Sequence, residues 1–337
     1  MPMKILKNGK CSLFVECFLS LLLASVIGTA AEREKLPSRL RTNGTETLQA
    51  VADLAERVRS VTVTLLDEDK VVALGTVLRS DGWVATKASE LGWKTVVRLS
   101  DGTELVPKTV VVDQDNDLAL LKVERAFDGL LEMRPEGPSP RGKFLLAPAD
   151  EEGHLKLGIV SANRRSIERV GGALGVVLGP QGLSVGGVEV QDVYKDTAAA
   201  KAGILQGDVI RSVNEKSVLL REQVIAEVGA HHPGDRVRLA LKRGDATLQL
   251  EVVLGFRSTY FRHLDRNQRL SGETSTRLTG FQDIVQHDIP VDVNAMGGPV
   301  VDLEGRLVGV NIARADRVST FALAVSLAKQ ILSGVDG

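Results

Sequence analysis

Apolar positions in the first third of the chain change their period near residue 60. Between Thr45 and Ser60 they recur every three or four residues, which predicts an amphipathic helix with one buried stripe. Beyond this helix, β-branched runs alternate with turn residues such as Asp81-Gly82 and Asp101-Gly102. The predicted strands span 61–66, 71–78, 83–86, 95–99, 105–112 and 118–123. Short strands at this spacing are typical of a small antiparallel barrel or sandwich.

The pattern changes after a second β-rich stretch at 144–162. Residues 170–254 predict a compact α+β unit of short strands, with one helix at 197–202 and another at 219–228. The polar and basic segment 256–278, which includes Arg277, predicts a long surface loop. The elements predicted after it are strands at Val291, 300–302 and 307–312 and a helix at 325–332.

The N-terminus has the three regions of a secretory signal. Three lysines precede an apolar stretch from Phe18 to Ile27, and small residues follow up to Ala31. About ten apolar residues are too few for a membrane span, which needs about 20, although an uncleaved anchor is the alternative. We therefore predict a signal peptide at 1–31 and an exported mature chain, periplasmic or secreted, without disulfides. Both cysteines, Cys11 and Cys17, lie in the removed segment.

Composition narrows the functional classes. The 337 residues suffice for two or three domains, and 43% hydrophobic with 25% charged residues excludes a disordered chain. The 42 basic and 43 acidic residues give a net charge of −1, and only 12 residues are aromatic. This balance disfavours nucleic-acid binding. We expect no cofactor and no metal ion.

Three segments occur in an order that suggests a family. They are Gly75–Leu91, Leu99–Val123 with Asp117, and the stretch from Gln286 through Asn294-Ala295-Met296-Gly297-Gly298-Pro299 to Ile312. They resemble, in this order, the elements that carry the catalytic histidine, aspartate and serine in trypsin-like serine proteases of the HtrA/DegP branch. Gly158–Ala162 is also similar to a strand of that family's second barrel. The resemblance implies a trypsin-like double β-barrel.

The resemblance also implies that the catalytic triad is degenerate. Acyl transfer at such a site needs a hydroxyl nucleophile, an imidazole base and a carboxylate. The matching positions are Ser89, Asp117 and Met296, so only the carboxylate is retained, and a thioether has no proton to lose. The oxyanion loop has Asn294 where the family has glycine, followed by Gly297. Losing triad members costs about a millionfold in rate, so we expect no working protease.

Two substitute bases stay open at this point. A desolvated Lys87 could activate Ser89, although nothing in this short turn indicates that the lysine is buried. His287 lies nine residues before Met296. Its ordinary interpretation is a strand or loop residue.

A second resemblance covers the α+β unit. Ala173-Leu174-Gly175-Val176, the stretch from Val193 to Val213 and His232-Pro233-Gly234-Asp235 are similar to a bacterial PDZ domain. The resemblance implies that the first four residues bind a peptide carboxylate while the peptide adds as a strand. A closed groove that serves only packing is the alternative. Bulk at Gly175 is expected to block the loop without disturbing the fold.

The two resemblances together predict a mostly β chain, a trypsin-like double β-barrel with an inserted α+β PDZ domain. The predicted parts are a linker and helix at 32–60, barrel 1 and the start of barrel 2 at 61–165, the PDZ domain at 166–256 and the rest of barrel 2 at 257–337. We interpret the chain as an exported pseudoprotease that binds protein C-termini or extended peptides. An active envelope endopeptidase and a regulatory partner of active HtrA-type subunits are the alternatives. HtrA trimers often depend on aromatic residues in the N-terminal segment, and residues 33–62 have none. The resemblance therefore does not predict a trimer, and homo-oligomerisation stays open.

Overall fold

The computed structural model describes residues 36–180, 186–260 and 266–335, and the predicted signal peptide lies outside them. Of the described residues, 36–47 belong to one unit, which contains a 3-10 helix at Ser38–Leu40, and those from Leu48 onward belong to another. The predicted helix at 45–60 is two helices, α1 (Thr45–Gln49) and α2 (Ala52–Ser60). They separate at Val51, a β-branched residue with a non-helical φ of −118°. No helix within the described residues is long and apolar enough to span a membrane.

The first β-layer is one antiparallel sheet with the order β5-β4-β1-β2-β3-β7-β6. Its strands are β1 (Thr62–Asp67), β2 (Lys70–Arg79), β3 (Trp83–Lys87), β4 (Val96–Arg98), β5 (Glu104–Leu105), β6 (Lys108–Asp113) and β7 (Leu118–Lys122). The single strand predicted at 105–112 is wrong, since Pro107 has no amide hydrogen for a ladder and separates β5 from β6. Only Val106 and Pro107 join these two edge strands. A connection that short reaches about 11 Å, so the sheet must curl.

The inserted unit, which we define as residues 173–255, has its own sheet and core. Its strands are β10 (Val176–Leu178), β11 (Val188–Val193), β12 (Val209–Val213), β13 (Lys216–Ser217), β14 (Arg236–Arg243) and β15 (Ala246–Val253). Two helices, α3 (Ala198–Lys201) and α4 (Arg221–Gly229), accompany them, and the sheet order β10-β11-β12-β14-β15 leaves β10 at an edge. Ala173 and Gly255 exchange two backbone hydrogen bonds of 3.0 and 3.1 Å, so the unit begins and ends at one place.

A closed six-stranded barrel forms from segments on both sides of the inserted unit. Its strands are β8 (Phe144–Pro148), β9 (Leu155–Ile167), β16 (Phe281–His287), β17 (Pro299–Val301), β18 (Leu307–Asp316) and β19 (Ser319–Ala324). The helix α7 (Val325–Ser333) follows β19. The strand predicted at Val291 is wrong: this residue is buried but lies between Pro290 and a 3-10 helix at Val293–Ala295. Buried side chains from both β-layers form one apolar cluster.

The segment predicted as a long surface loop is more ordered than its composition indicates. It contains α5 (Arg257–Tyr260) and α6 (Arg266–Leu270), and Arg277 is buried. The Arg277 guanidinium donates to the carbonyl oxygens of Gln114, Asp115 and Gly280. A guanidinium can be buried when carbonyl oxygens accept the hydrogen bonds of its N–H groups. Desolvation lowers the pKa of Arg277. Arg277 thereby holds the loop before Asp117 against the start of β16.

Candidate functional site

Ser89 and Asp117 meet because β3 and β7 are paired. Lys87, the last residue of β3, lies opposite Leu118, the first residue of β7, so the residues just beyond them share one end of the sheet. The Ser89 Oγ donates to Asp117 Oδ2 at 2.9 Å, and the Ser89 N–H donates to Asp117 Oδ1 at 2.8 Å. Asp117 adopts a left-handed φ of 58°, which aspartate tolerates better than most residues.

Lys87 is buried, contrary to the expectation from its turn position. Its side chain is 1% exposed, and its ammonium lies 2.5 Å from Glu90 Oε1 and 3.8 Å from Asp117 Oδ2. Two carboxylates offset the cost of desolvating the charge. The Ser89 hydroxyl gives its hydrogen to Asp117, and the Lys87 ammonium bonds to Glu90. The contacts therefore do not form a lysine–serine dyad in the described residues.

The electrostatics of Asp117 are set by opposing effects. Burial raises the pKa of its carboxyl, while the Lys87 ammonium, the Ser89 hydrogen bonds and the Arg277 charge act to lower it. Desolvation is the largest of these effects. The carboxylate acts here as an acceptor that fixes the turn carrying Ser89.

Met296 does not join Ser89 and Asp117. Its side chain is fully buried in a cluster with Leu74 of the first β-layer and apolar residues of the second barrel. The Met296 N–H donates to Val293 O at 3.2 Å, within the 3-10 helix that also holds the half-buried Asn294. An amide already bonded to a carbonyl is not available to stabilise an oxyanion.

Gly297 is hydrogen-bonded to both β-layers and so connects the loop after Met296 to the first β-layer. Its N–H donates to Asn311 O at 2.7 Å, and its carbonyl accepts from Thr76 Oγ1 at 2.8 Å. Leu74 N donates to Met296 O at 2.8 Å. The loop thus bridges the two β-layers through backbone contacts rather than through a reactive side chain.

His287 is a core residue of β16 and does not serve Ser89. Its Nε2 lies 2.8 Å from Asn311 Oδ1, and its Nδ1 accepts from Ile289 N at 3.3 Å, which assigns the proton to Nε2. The imidazole is fully buried, and this burial lowers its pKa to about 4. A neutral, fully bonded imidazole in the core has a packing role.

Ser89 and Asp117 line a cleft of about 460 Å³. The inserted unit contributes His232, Pro233 and Asp235 to the same cleft. The predicted late turn of the inserted unit therefore faces two of the predicted triad positions, Ser89 and Asp117.

A second cavity, of about 240 Å³, lies between β10 and α4 of the inserted unit. All four predicted peptide-binding residues, Ala173, Leu174, Gly175 and Val176, line it. Within the described residues, no acceptor lies against the N–H groups of Leu174 and Gly175. We call this cavity the PDZ groove. Its opposite wall comes from α4, where Ile225 is 52% exposed.

Gly175 is more constrained than a surface-loop glycine. It has a φ of +80°, and a Cβ there would lie 2.4 Å from the Thr197 Cβ. Thr197 is the N-cap of α3. Any side chain at Gly175 would therefore disturb the fold, so the expectation that the fold tolerates bulk there is wrong.

Comparisons with known proteins agree with this geometry. The family described as "PDZ domain" matches residues 156–254. The chain is 24% identical over 274 residues to the "Probable periplasmic serine endoprotease DegP-like" of Pseudomonas fulva (strain 12-X), covering 56% of each chain. The protein of the same name from Ectopseudomonas mendocina (strain ymp) is 25% identical over 274 residues, covering 56% of this chain and 57% of the relative. These similarities support an HtrA-like protein of trypsin fold with a PDZ domain. The predicted family and fold class are confirmed.

Two further similarities are more limited. A shorter stretch of this HtrA-like chain is 34% identical over 68 residues to the "Periplasmic pH-dependent serine endoprotease DegQ" of Escherichia coli (strain K12), covering 20% of this chain and 15% of the relative. The crystal structure of the serine endoprotease from Yersinia pestis is 17% identical with a TM-score of 0.30, covering 60% of this chain and 96% of that one. The chain spans about half the length of the curated relatives it matches over 274 residues.

Ile225 and Arg257 are among the groove-lining side chains that sequence reasoning missed. Ile225 lies in the helix predicted at 219–228, and the strand-addition geometry of PDZ domains could have pointed to it. Arg257 lies beyond the matched range, in the segment predicted as a surface loop. No local pattern distinguishes it from the neighbouring arginines.

Proposed function

We propose that this HtrA-like chain is an exported pseudoprotease, periplasmic or secreted, that binds protein C-termini or extended peptides through its PDZ groove. The observation that carries the first part is the fully buried thioether of Met296 at the nucleophile position. Export is supported by the signal-like N-terminus and by relatives named as periplasmic.

Three observations argue against acyl transfer. Met296 offers no proton for a base to remove. The Ser89 hydroxyl donates to the Asp117 carboxylate, which lines the same cleft, and the Met296 amide is engaged with Val293 O. A nucleophile, a base and an oxyanion donor must converge on one point for this reaction, and these groups do not.

Peptide binding is supported by the edge position of β10. An edge strand presents unpaired N–H and C=O groups, so an extended peptide can pair with β10 and place alternate side chains in the groove. The last and third-last residues of such a peptide share one face. The groove walls include Val176, Leu178 and Val224, so both positions should be apolar.

Casein cleavage is expected to be absent in the wild type and in every repaired variant. Met296→Ser places its hydroxyl in the core, Ser89→His supplies a base without a nucleophile, and in the double variant the amide at position 296 is still bonded to Val293 O. Fluorescent casein and a fluorophosphonate probe, applied to purified mature protein, measure both activities. The alternative is an active endopeptidase like its named relatives. Casein cleavage by the wild type that persisted through purification and was lost in Asp117→Ala would support this alternative and contradict the proposal.

Ile225→Glu is expected to weaken peptide binding at least tenfold. A carboxylate in the apolar groove would be desolvated by the ligand, and a tenfold loss corresponds to about 1.4 kcal/mol. The probe is a fluorescein-labelled peptide, Gly-Ser-Gly-Ser-Gly-Val-Ser-Val with a free C-terminus, measured by fluorescence anisotropy. Val253→Glu is the matched control, because Val253 is 51% exposed on β15 at the other end of the sheet. Equal loss in both variants, or no wild-type binding, would contradict the proposed groove.

A further inference from the structure

The PDZ groove contains one charged side chain among its described lining residues. This residue is Arg257, and the other lining residues are apolar or glycine. We propose that Arg257 pairs with the terminal carboxylate of the peptide and that this pair gives the groove its preference for free C-termini. This inference rests on the proposed function and names the residue that selects its ligand.

The backbone places Arg257 beside the carboxylate loop. Gly255 is bonded in both directions to Ala173, the first residue of that loop. Arg257 follows two residues later as the first residue of α5. The side chain therefore starts from the same point of the fold as the Leu174 and Gly175 amides.

A second contact fixes α5 in this position. The Ala198 N–H, at the start of α3, donates to the Tyr260 hydroxyl at 2.9 Å. The next amide of α3, that of Ala199, donates to Leu174 O at 2.9 Å. Both α5 and the carboxylate loop, residues Ala173 to Val176, are thus hydrogen-bonded to the start of α3. These bonds fix the position of Arg257 relative to the loop.

The chemistry at this point suits a carboxylate. The N–H groups of Leu174 and Gly175 have no acceptor in the described residues, and Arg257 lines the same groove. Charge-assisted hydrogen bonds to carboxylates are about twice as strong as neutral ones. The apolar walls weaken screening around the pair. Arg257 also has an interaction within the chain, but its five N–H donors can serve a second acceptor.

Carboxylate binding by the groove then depends on a residue outside the range that matches the PDZ family. The matched range ends at residue 254, whereas Arg257 lies on the segment that returns to the barrel. Carboxylate recognition is therefore shared between the inserted unit and its connection.

The test uses the full mature chain and two forms of the probe peptide, one with a C-terminal carboxylate and one with a carboxamide. We expect the wild type to bind the acid at least tenfold more tightly than the amide. Arg257→Ala should lose about tenfold affinity for the acid and less than twofold for the amide, and Arg257→Lys should lie between the two. Arg236→Ala removes an exposed arginine that pairs with Glu251 on β14 and β15, and it should leave both affinities unchanged.

The outcomes separate the two levels of the proposal. If Arg257→Ala weakened the acid and the amide equally, or weakened neither, Arg257 would not be the carboxylate's partner and peptide binding by the groove would stand. If the wild type bound neither peptide, the proposed function and this inference would fail together. A urea unfolding curve for Arg257→Ala that matches the wild type shows that any loss arises in binding.

Discussion

Replacing Gly297 by alanine should lower the free energy of unfolding by about 4 kcal/mol. Two effects contribute to this loss: the strain of a left-handed backbone at alanine and a steric clash with neighbouring backbone. Gly297 has a φ of +90°, and a Cβ there would lie 1.9 Å from Leu74 O and 2.6 Å from Thr86 Oγ1. Thr86 Oγ1 donates to Leu74 O at 2.7 Å, so the intruding methyl would break a buried hydrogen bond. Urea unfolding followed by tryptophan fluorescence reports on this region, since Trp83 is in β3 and Trp93 just precedes β4.

Gly102→Ala is the matched control. Gly102 also has a positive φ, of +84°, but a Cβ there would meet nothing within 4 Å. Its substitution should cost only about 1 kcal/mol, the price of the backbone conformation alone. Similar costs at the two positions would mean that the loop after Met296 is not clamped between the β-layers as described.

Acidification from pH 7 to pH 4.5 should remove about 2 kcal/mol of stability through His287 alone. Burial lowers the pKa of this imidazole from 6.5 to about 4 in the folded chain. Above pH 6.5 both the folded and the unfolded chain carry it neutral, and its full contribution is present. As the pH falls, the unfolded chain takes up a proton that the folded chain excludes, so stability declines until the pH reaches the folded pKa.

The measurement is the free energy of unfolding in urea at pH 7 and at pH 4.5 for the wild type and His287→Gln. Glutamine keeps a donor for Asn311 and an acceptor for Ile289 but does not titrate. The variant should therefore show a smaller acid loss than the wild type. His154→Gln alters an imidazole that is 71% exposed and should retain the wild-type loss. Parallel pH curves for the wild type and His287→Gln would contradict the buried, neutral assignment.

The sequence was most informative where local pattern decides structure. The strands predicted at 61–66, 71–78, 83–86 and 118–123 agree with β1, β2, β3 and β7 to within about two residues, because their β-branched runs are bounded by turn residues. The resemblance placed Ser89 and Asp117 at one site, and the two residues are hydrogen-bonded to each other.

The buried charges could not be predicted locally. Arg277 looks like a surface residue in a basic segment, but its acceptor Gln114 O lies 163 residues earlier in the chain. Lys87 is buried beside Asp117, which lies 30 residues later in the chain, just before β7. Met296 carried a signal that was not used: an apolar side chain in a predicted active-site loop already favours burial over chemistry.

The paired ends of the inserted unit affect how the second barrel can form. β9 and β16 are hydrogen-bonded neighbours, yet residues 168–280 separate them along the chain. Closing a flexible loop becomes costlier by about 2 kcal/mol for each tenfold increase in its length. Once Ala173 and Gly255 are paired, the folded PDZ domain holds the two ends of the insertion together. The barrel then closes with the entropy cost of a much smaller loop. Folding of the PDZ domain should therefore precede barrel closure and accelerate it.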